Sequence, residues 1–99
     1  MDVKEFQNKC SEIVKKIDNK YNVNRNVHLS YTQLLEEIGE LAEQINLPKL
    51  RGENQDINEM KGEFADVYLQ LCILADICGI DLESAVDYKI GILNKRHFS

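Results

Sequence analysis

Residues 63–82 read Glu63-Phe64-Ala65-Asp66-Val67-Tyr68-Leu69-Gln70-Leu71-Cys72-Ile73-Leu74-Ala75-Asp76-Ile77-Cys78-Gly79-Ile80-Asp81-Leu82. From Phe64 to Cys78 the polar residues are Asp66, Gln70 and Asp76, apart from the Tyr68 hydroxyl. A stretch this long and apolar on nearly every side predicts a buried helix. Gly79 supplies a left-handed cap, with Ile80 packing back on the last turn. Upstream, Asp56 with Glu59 three residues on forms a capping box, so this third helix runs from Asp56 to Cys78. Two acidic groups and an amide, Glu63, Asp66 and Gln70, fall on one narrow arc of it.

Outward from this segment the apolar spacing is helical throughout, and no stretch alternates with period two. A first helix opens at Asp2, with Glu5 completing its capping box, and runs to about Lys20. Phe6, Cys10, Ile13, Val14 and Ile17 form its inner stripe. A second opens at Ser30 with Gln33 and carries Leu34, Leu35, Ile38, Leu41, Ala42 and Ile45 inward. Pro48 is expected to stop it, leaving a polar loop from Asn46 to Gln55. A fourth opens at Asp81, turns Leu82, Ala85, Val86, Ile90 and Leu93 inward, and frays near Arg96. The expectation is an all-α chain, a four-helix antiparallel bundle, forming one domain over residues 1–99.

Composition narrows the function. The net charge is −5, and binding to a nucleic-acid backbone needs a basic stripe instead. No apolar run spans a membrane, and the opening MDVKEFQNK lacks the apolar core of a signal peptide. The three cysteines, Cys10, Cys72 and Cys78, have neither even number nor CxxC spacing. They read as buried free thiols of a protein in the reducing cytoplasm.

Charge placement points to chemistry. On the second helix Glu37 projects beside the edge of the apolar stripe and Glu40 one step further round. Glu36 and Glu43 point more fully away. Together they crowd one flank, repelling by roughly 0.2–0.5 kcal/mol per pair. That flank alone is equally well read as a solvated acidic face. The third helix changes this. Ionised carboxylates facing a dry interior are costly without a counter-charge, and the cation available there, Lys61, lies on a different arc. A divalent cation between Glu37/Glu40 and Glu63/Asp66 answers the need, and all-oxygen ligands suit Mg²⁺, with Mn²⁺ as substitute. Three partner helices from so short a chain do not cover every apolar side of the third. A homodimer, or a dimer of dimers (a homotetramer), is therefore expected with that helix near the interface.

These residues resemble a known family. Leu34-Leu35-Glu36-Glu37-Ile38-Gly39-Glu40-Leu41-Ala42-Glu43 is similar to the EExxE signature of MazG-like nucleotide pyrophosphohydrolases. Glu63-Phe64-Ala65-Asp66-Val67 is similar to their ExxD signature. The run Leu74 to Leu82 with Ala85, Val86 and Lys89 also matches how such chains continue, so the resemblance covers about residues 28 to 97. It implies the all-α NTP pyrophosphatase fold, usually dimeric or tetrameric, and Mg²⁺-dependent hydrolysis of a nucleoside triphosphate to the monophosphate and pyrophosphate. Carried over by position, Glu37, Glu40, Glu63 and Asp66 are metal ligands and Glu36 supports them, all five counting as catalytic. Such a role fits house-cleaning of the nucleotide pool.

For the substrate, Lys89 and Arg96 lie beside the apolar stripe of the fourth helix and can reach phosphates, while Lys49 and Arg51 can close over them. His28, Tyr31 and Tyr68 are candidates for stacking on the base. Gln70 stands where many relatives have an aromatic residue. Leu93 stands where some have asparagine, with Asn94 following, and the chain has no tryptophan. Gln70 and Asn94 therefore join the substrate-binding set, and the departures bear on the base pocket more than on the metal site. Two alternatives share these features: a phosphoribosyl-ATP pyrophosphohydrolase-like enzyme, and a non-catalytic helical interaction or regulatory module.

Overall fold

A computed structural model of the chain describes residues 2–99. Four helices follow in order, α1 Val3–Tyr21, α2 Val27–Leu50, α3 Ile57–Ile77 and α4 Leu82–Phe98. Among the described residues there is no strand, so the all-α expectation holds.

Three of the helix starts fall where capping chemistry places them. The Asp2 carboxylate accepts from the Glu5 amide at 2.8 Å. Asp56 accepts from Asn58 and Glu59, and Asp81 from Glu83 at 3.0 Å. Each satisfies a donor that the first turn leaves without a partner. The end of α3 is a Schellman turn: Gly79 at φ 72°, its N–H on the Asp76 carbonyl and the Ile80 N–H on the Ala75 carbonyl at 2.8 Å.

Both expected bounds of α2 need correction. It opens at Val27, because Asn26 caps it by accepting from Leu29 at 2.9 Å. Ser30, expected as the cap, lies inside the helix and is fully buried, and its hydroxyl accepts from Arg25 instead. Nor does Pro48 end it: the helix runs on to Leu50, and the expected loop 46–55 shrinks to the residues around Gly52. Proline removes one N–H and disturbs the turn before it. Gln55 folds back there and donates its side-chain amide to the Ile45 carbonyl at 3.0 Å. α4 also persists past Arg96, to Phe98.

α3 packs most extensively on α2 and also on α1, while α4 rests on α1. Cys10, Cys72, Ile73 and Ala75 are the buried apolar residues. Gln7, also buried, ties α1 to the turn between α3 and α4: it donates to the Ile80 carbonyl at 2.8 Å and accepts from the Leu82 amide at 2.9 Å. Much of the expected inner stripe stays open. Phe6, Ile13 and Ile17 of α1, Leu35, Ile38 and Ile45 of α2, and Val86, Ile90 and Leu93 of α4 are exposed. So are Phe64, Leu71 and Ile77 of α3, and Cys78, expected inside, is exposed too. The reason is architectural: α4 closes on α1 and makes no extensive contact with α2 among the described residues.

Candidate metal centre

Helices α2 and α3 run antiparallel, and their polar residues meet in rungs. Near the loop, Gln44 donates to a Glu59 carboxylate oxygen at 3.4 Å. One turn on, the Glu40 carboxylate lies beside Glu63. One turn further, Glu37 meets Asp66. Steps of three or four along both helices keep one face of each toward the other.

Glu37, Glu63 and Asp66 each contribute a carboxylate oxygen, and the three oxygens lie within 4.8 Å of one another. All three residues are half-buried. Burial pushes the Glu37 carboxyl up to about 7, helped by the Glu40, Asp66 and Glu63 charges. Burial also raises Glu63, with Glu40, Asp66 and Glu59 adding repulsion. Clustered carboxylates cannot all ionise cheaply, which is the electrostatic signature of a place prepared for positive charge.

Among the described residues no ion pair supplies that charge. The ion pairs Lys4–Asp81, Lys15–Asp76 and Arg25–Asp18 all lie elsewhere. One oxygen of Glu37 and one of Glu63 are buried without any hydrogen-bond partner. A buried polar atom left unpaired has lost its water partners without gaining new ones, and the cost is greater when the atom is charged. Hard oxygen donors from two helices, two of them unpartnered and mutually repelling, fit a divalent cation.

Of the expected ligands, the structure thus brings Glu37, Glu63 and Asp66 to one focus. Glu40 is an exposed residue flanking it, and its charge bears on both Glu37 and Glu63. Glu36 is exposed on α2 and is not among the three converging carboxylates. Gln70 follows Asp66 by one turn and has a buried side-chain oxygen without a partner.

The expected substrate residues are more scattered. Lys49 lies in the last turn of α2 and Arg51 is its C-cap, so both sit at a helix end and not in a long loop. His28 is not ahead of a helix but inside the first turn of α2, and Tyr31 follows it; both are exposed. Lys89, Asn94 and Arg96 are exposed on α4, the helix that rests on α1.

Two polar groups went unmarked in the sequence. Gln44 continues the row Glu37–Glu40 by four residues and also holds a buried, unpartnered oxygen; extending the helical row would have found it. Arg25 grips Asp18 through Nε at 2.7 Å and Nη2 at 3.1 Å, and donates through Nη1 to Ser30 and Gln33. It sits between helices, so no helical spacing signals it.

The family model of the MazG nucleotide pyrophosphohydrolase domain matches residues 25–98. No curated protein and no solved structure matches the chain at a significant level.

Proposed function

The chain belongs to the MazG nucleotide pyrophosphohydrolase domain family, whose members are metal-dependent, and from that premise we propose that it hydrolyses a nucleoside or deoxynucleoside triphosphate to the monophosphate and pyrophosphate. Mg²⁺ is the proposed cofactor, with Glu37, Glu40, Glu63 and Asp66 holding it. The observation that carries the reading is the convergence of one carboxylate oxygen each from Glu37, Glu63 and Asp66 within 4.8 Å, where Glu37 and Glu63 each also hold a buried oxygen without a hydrogen-bond partner.

A bound divalent cation supplies charge neutralisation at phosphate oxygens and a lowered pKa for a coordinated water. The side chains do the rest. The acidic rungs of α2 and α3 would hold that cation and orient the attacking water, and positioning together with electrostatic stabilisation makes up almost all of catalysis in phosphoryl transfer. Glu40, whose charge bears on both Glu37 and Glu63, accepts the proton of that water where it is not engaged as a ligand, with Glu36 as the alternative acceptor. Lys89 and Arg96 contact the phosphates, with Lys49 and Arg51 as further cations. His28, Tyr31, Gln70 and Asn94 are proposed to contact the base or sugar.

α4 rests on α1, so a second copy of the chain is proposed to complete the site and to cover the exposed apolar faces. The test of the reading is pyrophosphate release across a panel of NTPs, dNTPs, modified nucleotides and phosphoribosyl-ATP, with and without Mg²⁺. Metal-dependent release from at least one nucleoside triphosphate is expected. Release from phosphoribosyl-ATP alone, or from nothing in the panel, overturns it.

A further inference from the structure

The polar seam between α2 and α3 continues past the metal centre by one rung. Its register is set at two places. Gln44 bonds Glu59 at 3.4 Å, and Glu37 meets Asp66, with oxygens within 4.8 Å. Seven residues separate these positions on each helix, so the two helices pass each other in step. Four residues further, the next rung sets Gln33 of α2 opposite Gln70 of α3. Three more set Ser30 opposite Ile73, and that end is tied down as well. Arg25, which donates to Ser30 at 3.1 Å, lines the same small cavity as Ile73. The Gln33/Gln70 rung is thus bracketed on both sides, and both residues are half-buried.

The two amides offer opposite chemistry. Arg25, held on Asp18 through two nitrogens, donates through Nη1 to the Gln33 side-chain oxygen at 2.7 Å. That bond engages the acceptor of Gln33 and orients its amide, so what Gln33 presents away from Arg25 is its nitrogen, a donor. The Gln70 side-chain oxygen is buried and has no hydrogen-bond partner, so an acceptor stands open. A donor and an acceptor therefore share one rung, about 6 Å along the seam from Glu37 and Asp66 at the helical rise of four residues.

We propose that this amide rung is the subsite for the sugar of the substrate, Gln33 donating to its 3′-hydroxyl and Gln70 accepting from it, so that the substrates are nucleoside triphosphates with a free 3′-hydroxyl. The inference rests on the reading of the seam as a nucleotide pyrophosphohydrolase site. A hydroxyl accepts and donates at a single oxygen, which matches both open groups. An ionised phosphate only accepts, and leaves the Gln70 oxygen unpaired. Reach agrees with this. In a nucleotide whose α-phosphate lies at the carboxylate focus, the sugar follows after one ester oxygen and one methylene. The 3′-hydroxyl stands on the ring carbon next to that attachment, the 2′-position one carbon further. A nucleotide lacking the 3′-hydroxyl strips water from both amides and returns nothing, so the rung selects against it.

The experiment measures binding to the full chain by calorimetry in Mg²⁺. The probes are the non-hydrolysable α,β-imido forms of the four dNTPs, each paired with its 2′,3′-dideoxy counterpart. For the bases that bind, the 3′-hydroxyl compound is expected to bind on the order of tenfold to a hundredfold more tightly. Gln33→Met and Gln70→Met keep the length of the side chain and drop the amide. Each should bind both members of a pair alike, at the level of the dideoxy compound. A merely structural role for the glutamines weakens both members equally and keeps their ratio, and that outcome overturns the proposal. Equal binding of the pair by the unsubstituted chain overturns it too. Pyrophosphate release from the ordinary dNTPs is measured alongside. Release without 3′-hydroxyl discrimination defeats the sugar subsite alone, discrimination without release defeats the hydrolase reading alone, and binding of no probe defeats both.

Discussion

Glu37 is a carboxyl whose ordinary value of 4.5 rises to about 7 in the fold, first through burial and then through Glu40 and Asp66. The sign of the resulting pH dependence follows from linkage. Between those values the metal-free fold holds a proton that the unfolded chain has released, so stability is full below about 4.5 and falls as pH rises toward about 7. Glu63, raised by the same causes, acts in the same direction. In a chelator, the thermal midpoint should therefore fall from about pH 5 to about pH 7.5, and Glu37→Gln should flatten that slope. A midpoint that rises over this range contradicts the burial of these carboxyls. At the same scale, Glu40→Gln should lower Mg²⁺-dependent pyrophosphate release by about 10²–10⁴-fold, the size of a general-base contribution, and Asp66→Asn, which removes a ligand oxygen, should abolish nearly all of it, both with the far-ultraviolet helical signal unchanged. Asp66→Asn should also lose the thermal stabilisation by Mg²⁺, which for an intact site reaches about 2.7 kcal/mol at a hundred times the dissociation constant.

Between helices, the decisive contacts are few and polar. Arg25 holds Asp18 at the end of α1 and Ser30 and Gln33 at the start of α2, and the side chains of the Arg25–Asp18 pair are only 13% exposed each. This one guanidinium sets how α2, the helix bearing Glu37 and Glu40, leaves α1. Arg25→Ala leaves the Asp18 charge sheltered and unmatched, and should cost about 3 kcal/mol in urea unfolding. A loss within about 0.5 kcal/mol, ordinary for a surface change, would make the contact incidental. Capping at Asp2, Asp56, Asp81 and Gly79 was legible because a cap acts on its own turn. The start of α2 was not, because Asn26 and Ser30 are both acceptable caps locally and Arg25 claims the serine hydroxyl. Pro48 misled for a related reason: a proline near a helix end removes one hydrogen bond, and the Gln55 side chain bonds a carbonyl in that disturbed turn.

The molecule as a whole is open. Its accessible surface is 7560 Å², against about 5,800 Å² for a folded monomer of 11.4 kDa. The radius of gyration is 16.3 Å, against about 13 Å for a compact chain of this length. The surplus surface, roughly 1,800 Å², lies in the range one subunit commits to an obligate interface. It includes Leu35, Ile38, Phe64, Val86 and Ile90, which a monomer would leave in water. Light scattering at micromolar concentration should give twice the chain mass or four times it. A monomeric mass would show that the protein tolerates this exposure, and would remove the case for a site completed by a second copy.

Helical period, capping residues and the two acidic rows on α2 and α3 are properties of neighbours along the chain, so the sequence alone determined four helices, their approximate bounds and the carboxylates able to gather. It also carried the family, through the spacing of those rows. The tertiary structure decided the register of the rungs, which selects Glu37, Glu63 and Asp66 for one focus and leaves Glu36 outside. It also decided the exposure of α4 and the grip of Arg25. Those depend on how helices lean on one another, and contacts between residues far apart in sequence carry no periodic signal along it.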